Sequence, residues 1–195
     1  MLSILLYIIG WYIVNVCIVK NNKKDMSMKK LLLSTIALST VFSANVYAET
    51  SSQEFGAINK IASLCQTFKA SGLKTAVVFS SSTVKSVNDK NSLIGYAQSS
   101  NLNAKEVEMA NISSTDANLV ILADGLTSED QAKVKSIFQG KPIITASTDL
   151  SCVENGKCML GVDVGSVVKL LVDSKVYAAS GLKFDPAFEF MVKQI

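Results

Sequence analysis

Residues 28–48 most constrain how this chain folds, because they determine which part of it remains to form a domain. The segment opens on two lysines, continues through the apolar run Leu31–Phe42, and closes on small residues with Val46 and Ala48 at −3 and −1 of a cleavage point. This order is typical of a secretory signal peptide. The run is shorter than the about 20 apolar residues that a membrane span needs. We therefore expect residues 49–195 to fold in an oxidising compartment, the periplasm, where cysteines can pair.

The residues before the signal have two interpretations. In one, the apolar stretch Leu2–Val19 is a transmembrane helix, and the lysines after it hold its end on the inner side of the membrane. In the other, residues 1–27 are translated upstream sequence, because a membrane span followed at once by a complete signal peptide is redundant. We favour the second. The chain then divides into an upstream extension or N-terminal hydrophobic segment at 1–27, a signal peptide at 28–48, and a domain at 49–195.

The composition of that domain excludes several kinds of site. Its 147 residues carry 14 lysines and 15 acidic residues, a net charge of −1, so nucleic-acid binding is not expected. The chain contains neither histidine nor arginine. This excludes histidine-dependent nucleophilic catalysis, histidine metal sites and arginine clamps on phosphate or carboxylate. We expect one domain that is not an enzyme and that uses no cofactor or metal.

Apolar periodicity predicts alternating helices and strands in the first two-thirds of the domain. Near-continuous apolar runs indicate strands that are buried on both faces, as in a parallel sheet. A capping box of Thr127 and Asp130 marks the start of the third helix. The predicted helices are 54–70, 84–99 and 127–139, and the predicted strands are 74–79, 104–110, 118–123 and 142–146.

The pattern changes after Asp149. Two short apolar runs, 157–164 and 167–172, flank Gly165-Ser166 and predict a hairpin. A last helix is expected to start with Asp185 as its N-cap and Pro186 as its first residue, and to bury an apolar stripe. That stripe consists of Phe184, Phe188, Met191 and Ile195. The predicted fold class is α/β: a single Rossmann-like open sheet, mostly parallel, flanked by helices, with a C-terminal antiparallel hairpin.

The cysteines of an exported domain point to a disulfide. Cys152 and Cys158 lie on either side of a turn that contains Asn155-Gly156, close enough to be bridged. A pair of free thiols is the alternative. We expect the bridge to lie on an exposed edge hairpin and to contribute little to stability. Cys65 is left over and is expected to be a buried thiol, unless it is exposed and forms an intermolecular disulfide.

Polar residues follow three of the predicted strands and form a candidate ligand crevice. In open α/β sheets, ligands bind outside the carboxyl ends of the strands. The candidate residues are Ser80, Ser81, Ser82, Thr83, Asp124, Gly125, Thr148 and Asp149. Ordinary turn and helix-capping chemistry is the alternative interpretation of the same residues. The serine run lacks the glycines and the lysine of a phosphate loop.

Three residues are candidates for contact with a protein partner. Glu154 and Lys157 lie in the segment between the two paired cysteines and are expected to face water. Phe190 points away from the apolar stripe of the predicted last helix, so it is a candidate anchor. The sequence does not decide between such a surface and an isolated exposed aromatic residue.

The order of features from Asn118 onward resembles the YfiR-like family of periplasmic proteins. A buried strand at Leu119–Ala123 is followed by a helix and by Lys141–Asp149. The glycine- and cysteine-containing segment Gly156–Gly161 comes next, and Ala178–Phe184 precedes the last helix. The resemblance implies a Rossmann-like domain without catalysis. Members of that family regulate a membrane-bound diguanylate cyclase by protein contact, so the resemblance implies a similar role here.

Two functions follow as expectations. The first is a periplasmic, non-enzymatic regulatory or sensor protein that binds the extracytoplasmic region of a membrane-bound signalling protein or receptor. The second is a small-ligand binding module related to one lobe of a solute-binding protein of an ABC transporter. A single lobe needs a partner or a homodimer to close around its ligand.

Overall fold

A computed structural model of the chain describes residues Glu49–Ile195. The extension predicted at 1–27 and the signal peptide predicted at 28–48 lie outside the described residues. Within the described part, no helix combines the length and apolarity needed to cross a membrane.

A seven-stranded sheet forms the centre of the domain, in the order β2-β1-β3-β4-β5-β6-β7. All neighbouring strands are parallel except β5 and β6, which form an antiparallel hairpin. The fold is therefore α/β with a mostly parallel Rossmann-like sheet, as the sequence predicts. The strands are β1 Thr75–Phe79, β2 Ala104–Glu108, β3 Leu119–Leu122, β4 Ile144–Ser147, β5 Leu160–Val164, β6 Val168–Val172 and β7 Lys193–Gln194.

Helices cover both faces of the sheet, because alternate residues of each central strand point to opposite sides. On one side Val77 and Ile121 pack with α1 and α2, and on the other Val78 and Leu122 pack with α3. The helices are α1 Ser52–Ser63, α2 Val84–Ser99, α3 Ser128–Phe138, α4 Leu150–Glu154, α5 Ser174–Ser180 and α6 Ala187–Met191.

Several predicted elements are confirmed. The helix 84–99 has the predicted bounds, and Thr127 and Asp130 form the predicted capping box at the start of α3. The hairpin of β5 and β6 turns through Gly165-Ser166. These features depend on neighbours a few residues away, so local patterns are sufficient to place them.

The first helix is shorter than predicted. It ends at Ser63, because Cys65 leaves the helical path and forms a β-bridge with Phe184. The Gln66 amide then donates to the carbonyl of Lys183 at 2.7 Å. Cys65 is a buried free thiol, as expected, but it lies beyond the helix rather than within it.

The prediction for the last helix is wrong in its start and length. Pro186 is the N-cap, α6 ends at Met191, and the chain continues into β7. The apolar stripe is divided accordingly, since Phe188 is buried whereas Met191 and Ile195 are 38% and 45% exposed. The sequence pattern predicts helical hydrogen bonds for the residues after Met191. In the structure, Lys193 and Gln194 pair with β6 instead.

Candidate functional site

The candidate crevice residues meet at the carboxyl edge of the parallel strands. Ser80–Thr83 follow β1, Asp124 and Gly125 follow β3, and Thr148 and Asp149 follow β4. In the sheet β2 lies on one side of β1, and β3 lies on the other. The order of the strands therefore reverses at β1, and this edge includes the topological switch point of the sheet.

The serine run after β1 is held by its own surroundings. The Ser80 amide donates to Ser86 Oγ at 3.0 Å, and the Ser80 and Ser82 hydroxyl groups lie 2.7 Å apart. Ser81 donates to Glu108 Oε1 through both its amide and its hydroxyl, at 3.1 and 3.0 Å. The run therefore acts as a structured turn that leads into α2.

Gly125 brings the loop after β3 against the start of α2. Its φ of +86° lies in the left-handed region, and its carbonyl accepts a hydrogen bond from Thr83 Oγ1 at 3.1 Å. A Cβ at this position would lie 2.8 Å from Lys85 Cβ and 3.0 Å from the Ser86 amide nitrogen. Only glycine allows so close an approach in this conformation.

Replacing Gly125 with alanine is expected to lower the free energy of unfolding by about 2 kcal/mol, from backbone strain and from the clash with α2. Urea unfolding of the purified protein measures this loss. Gly72→Ala is the matched control, because Gly72 has a φ of +72° but open space around it. A loss no larger than in the Gly72 variant would show that the close approach is unimportant.

Asp89 is the central residue of this edge, and sequence analysis missed it. It lies on α2, is fully buried, and its carboxylate accepts three hydrogen bonds. The Thr50 amide donates to Oδ1 at 2.5 Å, the Thr50 hydroxyl to Oδ2 at 3.0 Å, and the Asp124 amide to Oδ2 at 2.7 Å. Asp89 therefore joins the first described residues of the chain to the loop after β3.

A signal for Asp89 was present in the sequence. Ser86, Asp89, Leu93 and Ala97 are spaced by three or four residues, so they share the buried face of α2. A carboxylate on such a face needs hydrogen-bond donors from elsewhere in the fold. The sequence does not show that Thr50, 39 residues earlier, supplies two of them.

Burial raises the pKa of Asp89 above its ordinary value. Hydrogen bonds from Asp124 and Thr50 act against this rise, whereas the neighbouring Asp124 charge adds to it. Asp124 itself forms an ion pair with Lys85, at 2.8 Å between Nζ and Oδ2. Asp89 and Asp124 are thus neighbouring carboxylates at this edge. Asp89 is held by hydrogen bonds, and Asp124 is held by its ion pair with Lys85.

The residues after β4 complete the network. The Thr148 hydroxyl lies 3.1 Å from the Thr50 hydroxyl. Asp149 caps α4 through the Ser151 amide and accepts from Gln131 Nε2 at 3.0 Å. Burial alone would raise the pKa of Asp149, but these hydrogen bonds and the charge of Lys85 lower it overall.

The structure thus brings the predicted crevice residues to one edge, where they bond to one another and to Thr50. Ligand binding there stays a prediction. Among residues 49–195, no group of three or more acidic or cysteine side chains is placed to hold a metal ion.

The disulfide between Cys152 and Cys158 is formed, with a Cα–Cα distance of 5.3 Å. Its expected position on an exposed edge is wrong. Both cysteines are fully buried in the core on the α3 side, and β5 lies between β4 and β6. Cys152 belongs to α4, and α4 packs on β5. The bridge therefore lies in the interior of the domain.

The three candidate contact residues lie in different environments. Glu154 is exposed at the end of α4. Lys157 is half-buried and donates to Ser128 Oγ, so it does not simply face water as expected. Phe190 is 92% exposed, the largest exposure among the big apolar side chains of the described residues.

No family model and no curated protein sequence matches this chain. Among solved structures, the chain is similar to the ABC domain in complex with L-Trp from Streptococcus pneumonia. The TM-score is 0.55 at 13% sequence identity, over 73% of this chain and 60% of that chain. This chain therefore spans less than two thirds of that protein's length. At this identity the likeness shows the fold alone, a Rossmann-like α/β domain.

Proposed function

We propose that residues 49–195 form an exported, non-enzymatic regulatory or sensor protein that binds the extracytoplasmic region of a membrane protein. The observation that carries this proposal is a set of exposed apolar side chains on or next to β6, α6 and β7. We call this surface the C-terminal apolar edge. It consists of Val167, Val168, Phe190, Met191 and Ile195.

Among the described residues, the outer side of β6 is largely unpaired. β7 pairs with β6 only at Leu171 and Val172, and within residues 49–195 no strand pairs with the outer side of Val168–Leu170. Val167 and Val168 are 67% and 58% exposed at the start of that segment.

An unpaired edge of this kind favours binding of another polypeptide. Free backbone groups on an edge strand can pair with a strand from another chain, and proteins usually protect such edges. Exposed Val167 and Val168 at the start of β6, together with Phe190 on the helix that leads into β7, supply apolar anchors for the added segment. The occupant that we propose is an extended segment of the partner, added as a strand beside Val168–Leu170.

The nature of the partner follows from the expected export. A domain secreted through a signal peptide meets the extracytoplasmic regions of membrane proteins. The YfiR-like resemblance suggests a diguanylate cyclase or another signalling receptor as that protein. Absence of histidine and arginine from the whole sequence supports a role without catalysis.

A double variant tests the C-terminal apolar edge. Val168→Glu/Phe190→Glu should lower recovery of the membrane partner at least tenfold in crosslinking and pull-down from envelope fractions, because it places charges on the apolar anchors. Val84→Glu is the control, since Val84 is 78% exposed on a different element. Equal loss in the control, or capture of no membrane protein by the wild type, would contradict the proposal.

Small-ligand binding is the second candidate. It is favoured by the fold likeness to a protein solved with L-Trp. The polar residues after β1, β3 and β4 would then face the ligand across a homodimer or a second lobe. A thermal-shift screen with L-Trp and other small metabolites separates the candidates. A ligand that raises Tm by several degrees without any protein partner would favour this second function.

A further inference from the structure

We propose that a lysine-lined cavity at the amino edge of the sheet binds a small anion that carries an apolar body, such as an aromatic or short-chain carboxylate. This lysine cavity lies between the end of α3, the start of β4, the segment before β5 and α5. It is thus at the opposite end of the strands from the crevice, and it stands independently of the partner contact proposed above.

The charge of the cavity is the first observation. Four lysines line it: Lys135, Lys141, Lys157 and Lys175. Within residues 49–195, none of their ammonium groups lies within 4.0 Å of a carboxylate. This is notable in a domain whose acidic residues outnumber its lysines. Gathered cations without carboxylate partners favour an anion, which would form charge-assisted hydrogen bonds with them.

The charged groups around the cavity have other, weaker partners. Lys157 donates to Ser128 Oγ, and Lys141 lies over the Phe138 ring at 5.7 Å from its centroid. Asp173 is the nearby acid, and its Oδ1 caps α5 by accepting from the amides of Lys175 and Val176. The Ser128 contact takes the Lys157 ammonium to the first residue of α3, so the charge of the cavity rests on Lys135, Lys141 and Lys175. Asp173 Oδ2 and Lys135 Nζ both lie near Gly156, but they form no ion pair within 4.0 Å.

The apolar wall is the second observation. Phe138, Ile143, Val176 and Ala179 line the same cavity as the lysines. Its volume is about 110 Å³. An enclosed apolar cavity of about 150 Å³ accepts benzene. This cavity is smaller but partly open to solvent, so we infer that it takes one ring or a short alkyl chain whose charged end lies towards the opening. An inorganic anion would use the lysines and leave this wall uncovered, which is why we infer an amphipathic ligand.

Isothermal titration calorimetry of the purified protein tests the proposal with four probes. 3-Phenylpropionate has both parts of the inferred ligand, 3-phenylpropanol has the body without the charge, and acetate and inorganic phosphate have the charge without the body. We expect saturable binding of 3-phenylpropionate that is at least tenfold tighter than binding of the other three. Equal affinity for acetate or phosphate would overturn the amphipathic assignment, and absence of saturable binding would overturn the site.

Two variants assign the binding to the cavity. Lys135→Gln/Lys175→Gln should weaken binding at least tenfold, and Ala179→Leu should weaken it by filling the cavity without changing any charge. Lys60→Gln/Lys133→Gln removes the same charge from exposed positions on α1 and α3 and should bind as the wild type. The same loss in this control would show a general charge effect and contradict the proposal. These experiments measure only ligand binding. A negative result would therefore not contradict the proposed partner contact, which the pull-down tests separately.

Discussion

Replacing Asp89 with alanine is expected to lower the free energy of unfolding by about 3–5 kcal/mol. The variant removes the acceptor for three hydrogen bonds inside the protein, two from Thr50 and one from the Asp124 amide. The two amides would then be left without an acceptor, whereas the Thr50 hydroxyl keeps its contact with Thr148. Urea unfolding measures the change. Asp116→Ala is the control, since Asp116 is an exposed acid with ion pairs at the surface, and it should cause no comparable loss.

The protonation of Asp89 gives this prediction a second readout. Because burial raises the pKa of Asp89 in the folded state, the folded protein binds this proton more tightly than the unfolded chain does. Stability therefore falls as pH rises from the ordinary pKa of 3.8 through the raised value. Asp89→Asn keeps the shape of the side chain but does not titrate in this pH range. Its stability should therefore lack this fall with rising pH. If the wild type instead gained stability relative to Asp89→Asn as pH rises over this range, the raised pKa of Asp89 would be contradicted.

Removing the disulfide is expected to have a comparably large effect. In the chain-entropy model, loss of a bridge that closes so short a loop costs about 2 kcal/mol. Both cysteines are fully buried in an apolar cluster, so serine hydroxyls there would add about 1–3 kcal/mol for each one left unpaired. Cys152→Ser/Cys158→Ser should thus be clearly less stable than Cys152→Ala/Cys158→Ala. This replaces the sequence-based expectation of a slight effect.

Urea unfolding of both double variants checks the disulfide prediction. Cys65→Ala is the control for loss of a buried sulfur without loss of a bridge, because Cys65 is a free thiol. If the serine and alanine double variants were equally stable, the burial of the bridge would not matter. If the serine variant matched the wild type, the bridge itself would contribute nothing.

Local patterns were sufficient wherever an element is stabilised by residues close to it in sequence. Helix α2, the capping box of α3 and the turn at Gly165-Ser166 depend on neighbours within about one helical turn or one hairpin. Runs of apolar residues likewise placed β1, β3 and β4, because strands covered on both faces have few polar positions. From these elements the sequence determined the α/β class, the antiparallel hairpin and the edge at which the predicted crevice residues meet.

Tertiary structure decided the features that depend on partners far away in sequence. Pairing of Cys65 with Phe184 ends the first helix, and pairing of β7 with β6 ends the last one. The donors to Asp89 come from Thr50 and Asp124, and the lysine cavity draws on four separate elements. Strand order also placed the disulfide in the core, because β5 lies inside the sheet. A sequence pattern reports which face of an element is apolar, but only the assembled fold determines what that face meets.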